Sequence, residues 1–132
     1  MKRMDELSDT DLLLEFVFEG GLILTGVINR IHAPLIVEEI KSKLPIEGRT
    51  AFMRGEMKIT LGISKGNAKP TKDVKKGDIV YQPLGDSLDI YLNDTKTFSQ
   101  VNVLGRITSD EMELEVLTKV RRGSMVTIQL AA

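Results

Sequence analysis

Short stretches of alternating apolar and polar residues, separated by glycine and proline turns, constrain this 132-residue chain more than any other feature. From residue 12 the chain reads Leu-Leu-Leu-Glu-Phe-Val-Phe, which places a large apolar side chain at positions 12, 14, 16 and 18. Gly20 and Gly21 follow, and paired glycines supply the positive φ of a tight hairpin turn. A second apolar run, residues 22–29, comes directly after them. This pattern predicts a β-hairpin.

One segment has helical rather than strand spacing. Pro34 suits the first turn of a helix, where its missing N–H costs nothing. Val37, Ile40 and Leu44 then share one face, and Pro45 ends the helix. We expect this helix to bury its apolar face and to close one end of the fold.

The rest of the chain reads as further short strands. Their predicted bounds are 50–54, 57–63, 79–84, 88–92, 101–107 and 124–130. Gly105 marks a bulge or a close backbone approach, and the lysine-rich residues 64–78 are predicted to form a long polar loop. A capping-box pattern from Thr108 to Glu111 predicts a short helix through about Thr118, with a strand as the alternative. About eight strands joined by turns indicate a mainly β fold, either a sandwich or a closed barrel, and a barrel also removes the exposed strand edges that invite aggregation.

Composition excludes several classes of function. The net charge of −1 provides no basic field for nucleic acid, and no apolar run approaches the ~20 residues of a membrane helix. Cysteine is absent, which excludes disulfides and thiol catalysis and fits a reducing compartment. We therefore expect a cytoplasmic protein with no nucleic-acid or membrane partner, no cofactor and no metal, while a homo-oligomer stays possible. Residues 1–11 are predicted to be a flexible tail and 12–132 a single domain.

Three stretches carry a resemblance to a known family: Gly55–Leu61, Gly77–Tyr91 and Val101–Ile107. In this order they resemble the cyclophilin-like family of small archaeal and bacterial proteins, over roughly residues 12–130. The resemblance implies a small closed cyclophilin-like β-barrel with one or two short helices. It leaves the activity open, because one fold hosts many functions.

Phe52-Met53-Arg54 resembles the phenylalanine-histidine-arginine piece of true cyclophilins, whose arginine hydrogen-bonds a prolyl carbonyl. The resemblance implies Arg54 as the matching residue. Cyclophilins continue with phenylalanine-methionine-x-glutamine-glycine-glycine, whereas this chain continues with Gly55-Glu-Met-Lys58 and contains no tryptophan. We therefore expect no prolyl isomerase activity.

In place of an isomerase site we expect a small pocket for a metabolite or a short peptide. The candidate ligand-binding residues are Glu56, Tyr81, Pro83, Gly85, Asp86 and Ser87. Glu56 is expected to face the pocket, and Tyr81 with the 83–87 turn to form its rim, because proline fixes φ and glycine allows close approach. Since alternate residues of a strand share a face, Arg54, Glu56 and Lys58 can converge with Asp86 or Asp89. The alternative is an ordinary row of solvated charges.

These features favour a binding module over an enzyme. Two other classes stay open. The first is an enzyme, either a weak prolyl isomerase using Arg54 or a small lyase or hydrolase using Glu56 as general base. The second is a subunit of a larger complex. The resemblance implies the last of these, because other proteins of this fold are domains of amide-bond-processing enzymes. The shape of the site discriminates between ligands. A closed mouth lined by Glu56, Tyr81 and Asp86 indicates a small molecule, a long shallow groove a peptide, and a flat apolar patch a partner protein.

Overall fold

A computed structural model describes residues 11–131 of the chain, which fold into nine strands, two α-helices and one short 3₁₀ helix. The strands are β1 (Asp11–Phe18), β2 (Ile23–Asn29), β3 (Ile46–Met53), β4 (Glu56–Thr60), β5 (Thr71–Val74), β6 (Asp78–Gln82), β7 (Ser87–Tyr91), β8 (Thr95–Ile107) and β9 (Met125–Leu130). The helices are α1 (Pro34–Lys43), α2 (Glu111–Glu115) and the 3₁₀ helix (Val116–Lys119). The tail predicted over residues 1–11 lies outside the described residues except for Asp11, which begins β1.

Eight of the strands form the closed barrel that the sequence predicts. Their order is β2-β1-β9-β3-β4-β7-β6-β8, every pairing is antiparallel, and β8 pairs back onto β2 to close the ring. β5 is an additional strand that pairs with β8. It lies inside the segment predicted to be a loop, so that part of the prediction was wrong. The segment Thr-Lys-Asp-Val buries only Val74 and therefore lacks a recognisable apolar face.

The core of the barrel follows directly from the alternating pattern. Every second residue of β1 is buried in the barrel interior, starting with Leu12 and ending with Phe18. Gly20 and Gly21 both have positive φ, as the hairpin turn between β1 and β2 requires. The predicted hairpin is confirmed.

Gly105 is where the ring of strands closes. It lies opposite Ile79 on β6 and opposite Ile28 on β2, and the β6–β8 register shifts beside it. A Cβ atom at this position would lie only 1.8 Å from the Val27 carbonyl oxygen. Both sequence expectations for this glycine, a bulge and a close backbone approach, are therefore correct.

The helices pack against this core. In α1, Val37 and Ile40 are buried as expected, whereas Leu44 follows the helix and is only partly buried. The segment after β8 is helical, so the alternative of a strand there was wrong. Its N-cap is Asp110, whose carboxylate accepts the Glu113 N–H at 2.8 Å. Neither α-helix of residues 11–131 is long and apolar enough to cross a membrane.

A second, smaller apolar cluster lies on the outer face of the barrel. Its buried members are Val74, Val80, Tyr91 and Val101. They come from β5, β6, β7 and β8, so β5 and the beginning of β8 cover part of the outer surface of β6 and β7. As a result, all five residues of β7 are buried, including the polar side chains Ser87 and Asp89.

Candidate functional site

An open cleft with a volume of about 830 Å³ lies beside this covering layer, on the outer face of β3, β4 and β7. The beginning of β8, residues 95–99, forms one wall, and the β6–β7 turn with Leu84 and Gly85 forms another. The cleft exists because β8 starts above the barrel surface and joins the barrel sheet only from Asn102 onward.

The floor of the cleft is polar because of the pairing between β4 and β7. Met57 and Ile59 point into the barrel core, so the alternate residues of β4 point outward. In the antiparallel register, Lys58 lies opposite Asp89 and Glu56 opposite Tyr91. Residues separated by about thirty positions along the chain are thereby brought together on one surface.

Lys58 is the centre of a polar network on this floor. Its Nζ lies 2.7 Å from Glu56 Oε1 and 3.2 Å from Asp89 Oδ2. It also donates to Gln82 Oε1 at 2.7 Å. Three acceptors match the three N–H donors of an ammonium group. Ser87 Oγ donates to Asp89 Oδ1 at 2.7 Å, so both oxygens of the Asp89 carboxylate are hydrogen-bonded.

Burial sets the electrostatics of this network. Asp89 is 0% exposed, and burial raises its pKa from 3.8 to about 6, because the attraction of Lys58 and the hydrogen bond from Ser87 offset only part of the desolvation. Burial lowers the pKa of Lys58, but the Asp89 and Glu56 carboxylates outweigh it, so this pKa lies above its usual value. Burial, with a hydrogen bond to Glu56, raises the pKa of Tyr91. At neutral pH the buried Asp89 carboxylate is therefore ionised beside the ammonium group of Lys58.

Some of the candidate residues line this cleft and others lie elsewhere. Glu56, Gly85 and Ser87 line it, and Arg54 reaches it from the β3–β4 turn, where its φ is +53°. Glu56 and Ser87 thus lie on the same face of the sheet.

Tyr81, Pro83 and Asp86 are not among the residues that line the cleft. Tyr81 is 0% exposed and packs in the barrel core. A ligand-binding role for the candidate residues stays a prediction.

Tyr81 and Asp86 instead hold residues 63–65 against the barrel. Tyr81 donates its hydroxyl proton to Asp86 Oδ1 at 2.6 Å and accepts the Lys65 N–H at 3.1 Å. Asp86 Oδ1 also accepts the N–H groups of Ile63 and Ser64. Burial and the bond to Asp86 raise the pKa of Tyr81 to about 12. Tyr81 and Asp86, which belong to the Gly77–Tyr91 stretch, therefore have a structural role that requires no ligand.

Several residues of the cleft were not among the sequence candidates. Gln82 contributes to the floor, and its amide donates to Ser99 Oγ at 2.7 Å. Met53, Leu84 and Phe98 form an apolar rim, with exposures of 41%, 81% and 99%. The sequence does contain a signal for Phe98, because it is an isolated aromatic residue within the polar run Thr-Lys-Thr-Phe-Ser-Gln.

Comparison with known proteins agrees with this architecture. The model of the Cyclophilin-like family matches residues 13–129, and the chain belongs to this family. The solution structure of the hypothetical protein AF2241 from Archaeoglobus fulgidus is similar, with a TM-score of 0.74 and 23% identity over 92% of this chain and 96% of that one. McbB in complex with tryptophan has a TM-score of 0.73 and 10% identity, over 90% of this chain and 45% of McbB. At these identities the likeness shows the fold alone. No curated protein matches the chain.

Proposed function

We propose that this protein is a non-enzymatic binding module whose cleft holds a short peptide. The proposal rests on the shape of the cleft, which is open along the outer face of the barrel and has a volume of about 830 Å³. Neither Tyr81 nor Asp86 lines it, so it is not the closed mouth expected for a small molecule. The open form of the cleft, rather than its volume, favours a peptide, because pockets of this volume also hold small molecules.

The chemistry of the cleft also suits a peptide. Met53, Leu84 and Phe98 present exposed apolar side chains around a polar floor, and exposed apolar residues grouped in one place mark interaction sites. The rim can pack against apolar side chains of a peptide while the floor fixes its polar groups. A metabolite of amino-acid size is the second candidate, because McbB, which has a similar fold, has a structure in complex with tryptophan.

Three features favour binding over catalysis. The ammonium group of Lys58 is fully used by its three acceptors, and Asp89 is buried beneath the floor. A prolyl isomerase needs an apolar floor, whereas the floor beside Arg54 is charged. We propose that isomerase activity is absent. We also propose that the protein acts in the cytoplasm of an archaeon or bacterium; its lack of cysteine fits such a reducing compartment.

Peptide binding can be tested with pentapeptide mixtures of random sequence, using isothermal titration and the change in melting temperature. We expect binding that weakens about tenfold in Phe98→Ser, because a fully exposed aromatic side chain at the rim is lost. Met112→Ser is the matched control, since Met112 is 82% exposed on α2 and lies outside the cleft. Absence of peptide binding, or equal loss in both variants, would contradict the proposal. A shift caused by free amino acids alone would favour the metabolite.

The isomerase question needs a separate assay. Rates of cis–trans conversion in proline-containing test peptides should equal the uncatalysed rates, with or without Arg54. An acceleration that disappears in Arg54→Ala would show that the protein is an isomerase.

A further inference from the structure

We infer that the cleft selects acidic peptides, whose carboxylate groups are bound by the side chains of Arg49 and Arg54. This inference rests on the proposed peptide-binding function. It starts from the charged side chains that line the cleft, of which Glu56 is the carboxylate and Arg49, Arg54, Lys58 and Lys96 are the cations. The whole chain has 18 cationic and 19 acidic residues, so cationic side chains are concentrated at the cleft.

The carboxylates of the floor are already used by Lys58. Glu56 lies 2.7 Å from the Lys58 ammonium group, and its side chain is less exposed than that of Lys58, 19% against 26%. Asp89 is completely buried beneath the floor, and its two oxygens accept hydrogen bonds from Lys58 and Ser87. These carboxylates therefore compensate Lys58, and the charges that a ligand meets lie on the other three cations.

The two arginines have most of their hydrogen-bonding capacity left. Both residues are exposed, and within residues 11–131 neither forms an ion pair. Arg49 donates one N–H to the Gly123 carbonyl oxygen at 2.9 Å, which leaves its other N–H donors available. A guanidinium group binds a carboxylate through two parallel hydrogen bonds, so both arginines suit the acidic side chain of a peptide.

Lys96 supports the same choice of ligand, because its ion pair is weak. It lies 3.2 Å from the Asp73 carboxylate, and both side chains are 73% exposed. Such exposed pairs contribute little to stability, so a peptide carboxylate can replace Asp73 as the partner of Lys96. Even when Asp73 and the buried Asp89 are counted with Glu56, four cations face three carboxylates.

Arg49 lies at the end of the cleft away from Glu56. Met53 pairs with Glu56 across β3 and β4, and Arg49 lies on the same outward face of β3, four residues earlier. At about 3.3 Å for each residue, Arg49 and Met53 are about 13 Å apart along the strand. This distance exceeds the Debye length of about 8 Å at physiological salt, so Glu56 repels a carboxylate bound at Arg49 only weakly.

The test uses three mixtures of acetylated and amidated pentapeptides with random flanking residues. The central residue is glutamate, glutamine or lysine, so the first two differ mainly in charge. We expect the glutamate mixture to bind about tenfold more tightly than the glutamine mixture, as one charge-assisted pair predicts, and the lysine mixture to bind most weakly.

Variants show whether the arginines cause this preference. The double variant Arg49→Gln/Arg54→Gln should bind the glutamate and glutamine mixtures equally, and each single variant should show an intermediate preference. Both positions are exposed, so the variants should keep the melting temperature of the natural protein. Arg106→Gln is the matched control, because Arg106 is exposed on β8 and does not line the cleft; it should retain the full preference.

Each outcome decides between the two proposals. Equal binding of the glutamate and glutamine mixtures, or a glutamate preference that survives in the double variant, would overturn the inference and leave peptide binding intact. A short oligothymidylate that binds as tightly as the glutamate mixture would indicate a surface for any polyanion, and would also overturn it. If no mixture binds, the proposed function itself is wrong, and the inference falls with it.

Discussion

Replacing Gly105 with alanine tests how the barrel is closed. The new Cβ would lie 1.8 Å from the Val27 carbonyl oxygen and 2.7 Å from the Ile28 Cα. Carbon atoms in contact are normally about 3.5–4.0 Å apart, so β2 must move by about 1 Å or more. The pairs that join β2 to β8 are Gly26–Ile107, Val27–Arg106 and Ile28–Gly105. Disrupting the pairing at these positions, at about 1 kcal/mol for each hydrogen bond lost, should lower the free energy of unfolding by about 2–4 kcal/mol.

Urea denaturation followed by circular dichroism measures this loss. Gly66→Ala is the matched control, because a Cβ at Gly66 meets no atom within 4 Å and Gly66 is not among the glycines with positive φ. Its effect should be within about 1 kcal/mol of zero, and it can be stabilising through the unfolded state. If Gly105→Ala costs no more than Gly66→Ala, the close approach of β2 and β8 does not hold the barrel closed.

Three further predictions concern stability. Because the pKa of Asp89 is raised from 3.8 to about 6, the stability that its protonated form contributes is complete below about pH 3.8 and is lost as the pH rises through 6. In urea titrations, the free energy of unfolding of the natural protein should therefore fall by about 3 kcal/mol over that pH range relative to that of Asp89→Asn. If the difference between the two proteins does not change with pH, the raised pKa of Asp89 is wrong. Tyr81→Phe removes the hydrogen bonds to Asp86 and Lys65, so it should lower the free energy of unfolding by about 1–3 kcal/mol and speed amide exchange at Lys65. Unchanged exchange at Lys65 would show that the Tyr81 hydroxyl does not hold this residue. Ile40→Ala should lower the free energy of unfolding by about 2–5 kcal/mol and Leu44→Ala by less, since Ile40 is fully buried and Leu44 is only partly buried. A loss below about 0.5 kcal/mol for Ile40→Ala would place α1 outside the core.

Strands with a uniformly apolar inner face could be predicted, whereas β3 begins at Ile46 rather than at the predicted residue 50, because Gly48 and Thr50 interrupt its buried face. In β1 the period of two is visible in the sequence, and its buried residues are the ones that the pattern indicates. β5 could not be found in this way, because it pairs through its backbone and buries only Val74. A short strand at the edge of a sheet leaves almost no periodic signal.

The candidate site could be predicted only in part, because a strand buried on both faces hides its orientation. Ile79, Val80 and Tyr81 of β6 are all buried, so the sequence does not show that Tyr81 points into the barrel. Alternation did place Glu56 and Lys58 on one face. Asp89 is buried against Lys58 only after β4 pairs with β7, and a single sequence contains no direct signal of that contact.

The position of β9 also has a consequence for the synthesis of this protein. β9 lies between β1 and β3, although it is the last of the nine strands to leave the ribosome. Until then the facing edges of β1 and β3 have no partner, and unpaired strand edges are templates for aggregation. Any barrel that begins to form as the chain emerges therefore has two open edges until β9 is inserted between them.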